Sequence, residues 1–133
     1  MRTKGNAAKI GAWTDAENAI ISRAYIGMLA LESAGAPFNK AQHRREGLAT
    51  MATARDDKRM RSPGSWEMKC CNISAVLHGA GLPYVNGYKP LGHGQQKALA
   101  LALAAAFEKH ADTGVIESVA ASIAADCLRG LNK

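Results

Sequence analysis

Hydrophobic residues recur at helical spacing in several segments of the chain, and short polar or Gly- and Pro-rich stretches separate these segments. The first segment begins at Thr14, which can cap a helix while Glu17 reaches back to the cap, and Trp13 stands where a hydrophobic staple would be. Apolar residues then follow at helical spacing until Gly35 and Pro37, which end the helix. They are Ile20, Ile21, Ala24, Tyr25, Met28, Leu29 and Leu31.

Two shorter helices are predicted next. Asn39 caps the first of them, which runs from Lys40 to about Thr53. The second begins at Ser62, a capping serine that is followed by proline at the first helical position, or three residues later at Ser65. It continues to about His78, where a Gly-Ala-Gly stretch ends it.

The remaining segments complete an all-α pattern. Residues 54–61 are polar and predict an exposed loop or an extension of the preceding helix, and residues 82–94 are dense in Gly and Pro and predict a structured loop, with room for a short extended segment. An Ala- and Leu-rich helix covers residues 95–110, and Asp112-Thr113 caps a last helix over residues 115–128. The sequence therefore predicts a compact bundle of about five mostly short helices with no convincing strand pair.

Length and composition indicate one domain with two appendages. A chain of 133 residues suits a single compact domain, and its 47% hydrophobic content, much of it alanine, favours closely packed helices. Residues 1–12 predict a flexible basic arm, residues 13–111 a helical module, and residues 112–133 a C-terminal helix. The apolar stripe of that last helix could pair with a second copy of the chain, which would make the protein a homodimer.

The positive charge of the chain is concentrated in one region. The formal net charge is +6 and the pI is about 9.5, which favours polyanionic partners, nucleic acid before membrane. Residues 40–69 carry eight basic and four acidic residues, and the arm adds Arg2, Lys4 and Lys9. The competing interpretation is a solvated charged face without a ligand.

The sequence contains no pattern typical of a catalytic or metal site. Cys70 and Cys71 are adjacent and, with the third cysteine, do not form a disulfide framework, so they are expected to be buried or half-exposed thiols. A Gly-His-Gly stretch at residues 92–94 lacks both the preceding strand and the lysine of a phosphate-binding loop. No metal-binding spacing links the four histidines, His43, His78, His93 and His110. We therefore expect no catalysis, no metal and no cofactor.

No segment resembles a targeting or membrane signal. The N-terminus is polar and lacks the apolar stretch of a signal peptide, and the longest apolar run is about half of what a membrane span requires. With the free cysteines, this favours a reducing, cytosolic compartment and predicts no membrane association.

The helix that follows Ser62 carries residue types that suit DNA recognition. At helical spacing Ser65, Lys69 and Asn72 share one strip, and these types reach base edges and phosphates. The N-terminus of the helix, with Arg61 beside it, is a candidate phosphate anchor. A basic helix, a turn longer than usual and then this helix suggest a helix-turn-helix-like core. The competing interpretation is an amphipathic core helix with ordinary solvent-facing polar residues.

Four motifs and the start of the Ala-rich helix resemble a known module. They occur at Trp13–Glu17, Pro37–Ala41, Arg61–Leu77 and Gly81–Pro90, and with the helix from Gln95 onwards they span residues 13 to 110 in order. Together they resemble the N-terminal module of bacterial HNH-type, restriction-like endonucleases. The resemblance implies that the module recognises DNA beside a separate nuclease.

The resemblance and the basic stretch together give a predicted set of DNA contacts. The resemblance places contacts on the recognition helix and supporting contacts in the loop after it, and the basic stretch adds four more. The full set is Lys40, Arg44, Arg45, Arg59, Arg61, Ser62, Ser65, Lys69, Asn72, Tyr88 and Lys89.

Two departures from the family pattern qualify this expectation. No room for a nuclease follows His110, so cleavage is expected only if a partner supplies it. Cys70 and Cys71 stand where the family tends to have polar residues, which would change the readout if these positions face DNA. The leading hypothesis is thus a stand-alone module that binds double-stranded DNA, in a small regulator or a phage or mobile-element protein. The alternative is a protein-interaction module, an inhibitor or adaptor that binds another protein.

Overall fold

A computed structural model describes residues 10–92 and 97–113, and this part of the chain is all-helical, with four helices and no strand. The helices are α1 (Asp15–Ser33), α2 (Lys40–Ala54), α3 (Pro63–Gly79) and α4 (Lys97–Thr113). The all-α prediction is confirmed, and α1, α2 and α3 begin at the residues that their capping signals predict. The predicted arm up to residue 9, the start of the Ala-rich helix at Gln95 and the last helix, 115–128, lie outside the described residues.

Side-chain caps fix where the first three helices begin. The hydroxyl of Thr14 accepts the N–H of Glu17 at 3.1 Å, and the carboxylate of Glu17 accepts the N–H of Thr14 at 2.9 Å, which completes the predicted capping box. Asn39 caps α2 through the N–H of Gln42 at 2.9 Å. Ser62 caps α3 through the N–H of residue 65 at 3.0 Å. Each such cap stabilises its helix by about 1 kcal/mol.

α1 is the central helix and packs against α2, α3 and α4. The hydroxyl of its buried Tyr25 lies 2.6 Å from the hydroxyl of Ser74 on α3 and accepts the N–H of Val85 at 2.8 Å. This buried polar contact fastens the loop after α3 to both helices. The largest fully buried apolar side chains are Trp66, Tyr25, Phe107, Ile21, Met28, Leu29, Met51, Ile73, Leu77, Leu103 and Val85.

α2 and α3 approach closely where a glycine faces an indole ring. The side chain of Trp66 is fully buried and lies directly over Gly47. A Cβ atom at position 47 would overlap the Cη2 and Cζ3 atoms of this ring. Glycine is therefore required here by the close approach of the two helices, although it lowers the intrinsic stability of the helix.

Helix α4 is longer than expected at its C-terminal end. It includes Asp112 and Thr113, which the sequence pattern assigns to the start of a following helix. No glycine or proline interrupts residues 97–113, so helical hydrogen bonding continues through these two polar residues. Residues 55–62 form a loop and do not extend α2, and the described part of the 82–94 segment contains turns but no extended strand.

Candidate nucleic-acid interface

Arg61 lies inside the fold and not on its surface. The residue is only 7% exposed, its Nε donates to one oxygen of Glu17 at 2.7 Å, and its Nη2 donates to the other at 3.0 Å. The same Nη2 also donates to the carbonyls of Gly11 and Ala12 at 3.0 and 3.1 Å. This placement differs from the surface phosphate anchor predicted for Arg61, because a carboxylate 44 positions earlier in the chain binds the guanidinium.

Glu17 holds three parts of the chain together. Its carboxylate is fully buried, and besides Arg61 it contacts Nη1 of Arg55 at 3.3 Å. Burial by itself would raise the pKa of Glu17, but hydrogen bonds from Arg61 and from the N–H of Thr14, with the charges of Arg61 and Arg55, lower it below its ordinary value. Because α1, the 55–62 loop and residues 10–12 meet at this carboxylate, we call Glu17, Arg55 and Arg61 the buried ion cluster.

Arg55 extends this cluster to the surface. Its Nε and Nη2 donate to the two carboxylate oxygens of Asp57 at 2.8 and 2.7 Å, and its Nη2 also lies 3.4 Å from the carbonyl of Ile10. The hydrogen bonds from Arg55 hold the pKa of Asp57 well below its ordinary value. The sequence indicates Glu17 only as a capping residue, so its long-range role has no local signal.

Lys69 lies beside the buried ion cluster, and the carboxylate of Glu17 stabilises its charge only from a distance, without a salt bridge. Its Nζ lies 4.9 Å from the centre of the Trp13 ring. Cζ of Arg61 lies 4.7 Å from the centre of the same ring. Partial burial and, after it, the charge of Arg61 lower the pKa of Lys69. Within the described residues Lys69 forms no ion pair. An anion placed next to Lys69 would therefore be attracted by an ammonium group that forms no salt bridge with the described residues.

The loop after α3 covers the outer side of that helix in its second half. The N–H of Leu91 donates to the carbonyl of Cys71 at 3.1 Å, and the amide nitrogen of Asn72 donates back to the carbonyl of Leu91. At the next residue of the loop, a Cβ on Gly92 would lie 2.8 Å from the Cβ of Ala75. Asn72 is thus occupied by the loop, and α3 is open on its first two turns and at its C-terminal end, where His78 and Gly79 are exposed.

The first two turns of α3 present a mixed polar surface. Pro63, Gly64, Glu67 and Met68 are exposed, and Ser65 is half-buried. Ser62 is exposed at the cap, where its hydroxyl is bonded to the N–H of residue 65. Of the predicted contacts, Ser62, Ser65 and Lys69 are the three that the fold brings to this end of α3.

The predicted loop contacts are divided between core and surface. Tyr88 is only 4% exposed, its ring centre lies 6.2 Å from that of Tyr25, and burial raises its pKa. Lys40 lies over the Tyr88 ring at 5.0 Å and donates to the carbonyl of Asn86 at 2.5 Å, so both side chains hold the loop in place. Lys89 is exposed.

The other predicted contacts lie on α2 and in the 55–62 loop. Arg44 is half-buried and Arg45 is exposed, and neither forms an ion pair with any residue that the structure describes. Arg59 is half-buried before α3, and its N–H donates to Asp57 at 3.0 Å. These three arginines add positive charge outside the surface formed by α3.

The adjacent cysteines are buried and free, as predicted. Burial is the main reason that the pKa values of Cys70 and Cys71 are raised, so both are neutral thiols at neutral pH. Because Cys70 points into the core and Cys71 lies under the loop, neither side chain is on the open face of α3.

Residues 10–92 and 97–113 contain no group of three or more His, Cys, Asp or Glu side chains that could hold a metal ion. None of the helices in these ranges is long and apolar enough to cross a membrane.

Comparisons with protein-family models, with curated proteins and with solved structures found no match to this chain.

Proposed function

We propose that this protein binds double-stranded DNA with the exposed first half of α3 and has no catalytic activity of its own. The observation that carries the proposal is the position of Lys69, a half-buried cation that forms no salt bridge with the described residues and lies one turn from Ser65 at the N-terminal end of α3. The N-terminus of a helix attracts phosphate through its dipole and its unbonded N–H groups. At α3 this leaves the N–H of Gly64, because Pro63 has none and those of Ser65 and Trp66 are bonded to Ser62. Lysine and serine side chains contact phosphates and base edges.

We propose that the predicted residues divide into direct and indirect contributors to DNA binding. Ser62, Ser65 and Lys69 are the proposed direct contacts, and the arginines Arg44, Arg45 and Arg59, with Lys89, add attraction at longer range. The four other predicted residues hold neighbouring segments in place and do not contact DNA in this proposal. Arg61 binds Glu17 and residues 11–12 before α3, and Asn72 binds the carbonyl of Leu91 in the loop after α3. Lys40 and Tyr88 hold the same loop.

The covered second half of α3 restricts how the helix can meet a duplex. Eight residues, 55–62, join α2 to α3, whereas a helix-turn-helix joins its helices through 3–4 residues. Because of this longer connection, the proposed reader resembles a helix-turn-helix only in placing a helix at the DNA, and it inserts the N-terminal end of α3 into the major groove. Recognition helices of this class also contact base edges with their N-terminal residues.

A titration of fluorescent duplex DNA with the variant Lys69→Gln tests this function. We expect weaker binding to every duplex sequence and a salt dependence that is shallower by about one counterion, because one phosphate contact is lost. Arg23→Gln is the matched control, since it removes the charge of an exposed arginine from α1. Equal effects of the two variants, or no duplex binding by the parent protein at about 50 mM salt, would refute the proposal.

A second candidate function is binding to another protein, and exposed methionines on the same surface favour it. Met60 and Met68 are 56% and 52% exposed, and both lie close to Ser65 along the chain. Exposed methionines adapt to varied apolar partners. A protein complex that persists in about 1 M salt, where exposed charges are screened, and that Met68→Ser weakens would support this function instead of DNA binding.

A further inference from the structure

Trp13 stands where a hydrophobic staple begins, but the residue that a staple would reach is polar. Trp13 directly precedes Thr14, the cap of α1, and a staple from this position packs against the fourth residue of the helix. That fourth residue is Asn18. The indole is partly buried and packs against the core, a contact that a leucine could also make. Neither role requires an aromatic ring.

The ring of Trp13 contacts two cations. Its centre lies 4.7 Å from Cζ of Arg61, which directly precedes the cap of α3, and 4.9 Å from Nζ of Lys69 in the second turn of α3. Both distances are within the roughly 6 Å over which a cation is attracted to an aromatic ring, and tryptophan attracts cations most strongly. The aromatic character of Trp13 is therefore used at α3, although the residue stands at the start of α1.

The two cations depend on the ring to different degrees. Arg61 is buried, and the carboxylate of Glu17 binds it at 2.7 and 3.0 Å, so it keeps its place without the indole. Lys69 is half-buried and forms neither a hydrogen bond nor a salt bridge with any described residue. Its partial burial and the charge of Arg61 lower its pKa, so both disfavour the charged ammonium group. Within the described part of the chain, the Trp13 ring opposes these two effects at short range.

Hydrogen bonds hold the backbone on both sides of Trp13. Nη2 of Arg61 donates to the carbonyls of residues 11 and 12 at 3.0 and 3.1 Å. The N–H of Thr14 donates to the carboxylate of Glu17 at 2.9 Å. Because the buried ion cluster fixes the residues before and after it, the indole has a defined position beside α3.

We propose that Trp13 is a positioning residue for DNA binding, whose ring holds the ammonium group of Lys69 one helical turn from Ser65. This role rests on the proposed function, because it assigns Trp13 to the same surface. A lysine side chain that is already held loses less conformational freedom when a phosphate binds, which strengthens binding without a further contact. A phosphate beside the ammonium group also opposes the repulsion from Arg61. Trp13 therefore affects DNA affinity through Lys69.

A double-mutant cycle in the full chain tests this role. Trp13→Leu, Lys69→Gln and their combination are titrated against random duplex DNA at about 50 mM salt by fluorescence anisotropy. Trp13→Leu should weaken binding by about two- to fivefold, the change in affinity that corresponds to a cation–π contact at an exposed site. In the Lys69→Gln background the same substitution should cause no further loss. Trp13→Phe keeps a ring and should recover part of the affinity that Trp13→Leu loses.

Phe38→Leu is the matched control. Phe38 directly precedes the cap of α2, as Trp13 precedes the cap of α1, and it too is partly buried against the core. The ring next to it is that of His43, with 6.1 Å between the two centres, so DNA affinity should be unchanged in Phe38→Leu. Equal losses of affinity in Trp13→Leu and Phe38→Leu would overturn the role of Trp13. An equal loss from Trp13→Leu with and without Lys69 would do the same.

Proton NMR of the free protein gives a readout that does not depend on DNA. The methylene protons next to Nζ of Lys69 lie near the indole and should be shifted upfield by its ring current. If this shift persists in Trp13→Leu, the ring does not hold Lys69 and the proposal is wrong. Duplex binding without coupling between Trp13 and Lys69 would overturn the role of Trp13 alone. No duplex binding by the parent protein would overturn the proposed function together with this role.

Discussion

Neutralising Glu17 should destabilise this protein more than any change on the surface of α3. In Glu17→Gln the carboxylate that pairs with Arg61 and Arg55 becomes an amide of nearly the same shape. Arg61 then stays 7% exposed without a counter-charge, and the second arginine lies beside the same site. Removing one partner of a buried ion pair costs about 3–5 kcal/mol. An amide oxygen still accepts the N–H of Thr14, so the cap itself is largely kept.

We therefore expect the free energy of unfolding to fall by about 3 kcal/mol, a large part of the 5–15 kcal/mol typical of small domains. Urea unfolding followed by tryptophan fluorescence measures this, because Trp13 stacks on Arg61 and Trp66 is in the core. Glu32→Gln is the control, since the carboxylate of the half-buried Glu32 accepts the N–H of Asn86 and forms no ion pair within the described residues.

The pH dependence gives a second readout of the same pair. Because the folded protein lowers the pKa of Glu17, the ionised carboxylate stabilises the fold fully above its ordinary pKa of 4.5. That contribution is lost as the pH falls from this value through the lowered pKa of the folded state. The difference between the parent protein and Glu17→Gln should therefore shrink as the pH falls below 4.5. A loss below about 1 kcal/mol at pH 7, no larger than for an exposed pair, would refute the reasoning.

Three further substitutions test the packing and the proposed interface. Gly47→Ala should lower the free energy of unfolding by about 2 kcal/mol in thermal or urea unfolding, because overpacking against the buried indole outweighs the gain in helix propensity. The control Gly27→Ala, with open space around its Cβ, should raise this free energy by up to about 1 kcal/mol. Equal effects of the two variants would contradict the close approach of α2 and α3. Glu67→Gln should tighten binding to random duplex DNA by about two- to fivefold in an anisotropy titration, because an exposed negative charge leaves the first half of α3; unchanged affinity would argue against this surface. Asn72→Ala should lower the free energy of unfolding by about 1 kcal/mol, since the carbonyl of Leu91 loses its donor, and leave the DNA sequence preference unchanged. An altered preference in competition titrations would instead assign Asn72 to base readout.

The parts of this fold that sequence could predict are those determined within a few neighbouring residues. The starts of α1, α2 and α3 follow from Thr14, Asn39 and Ser62, because a cap acts on N–H groups within the next three positions. The burial of Ile73 and Leu77 follows from helical spacing in the same way.

The candidate site was harder to predict because its side chains are placed by distant partners. Arg61 stands next to a helix cap in the sequence, where a surface cation is expected. In the fold its guanidinium is buried because it donates to the carboxylate of Glu17 on α1. Asn72 shares a helical strip with Lys69, yet the carbonyl of Leu91 occupies its amide. Neither partner is indicated by spacing or composition, because both contacts depend on tertiary structure.

Hydrogen bonds from Arg55 and Arg61 to the backbone of residues 10–12 limit how far the basic residues before residue 10 can reach. Ile10, Gly11 and Ala12 are held by their carbonyls, so the chain before them has a fixed point of departure beside the first turn of α3. Nine residues extend at most roughly 30 Å, which corresponds to about nine base-pair steps along a duplex. Backbone contacts of Arg2, Lys4 or Lys9 must therefore lie within about 30 Å of Ile10. The position of Ile10 depends on Glu17, because Glu17 binds the arginines that hold residues 10–12.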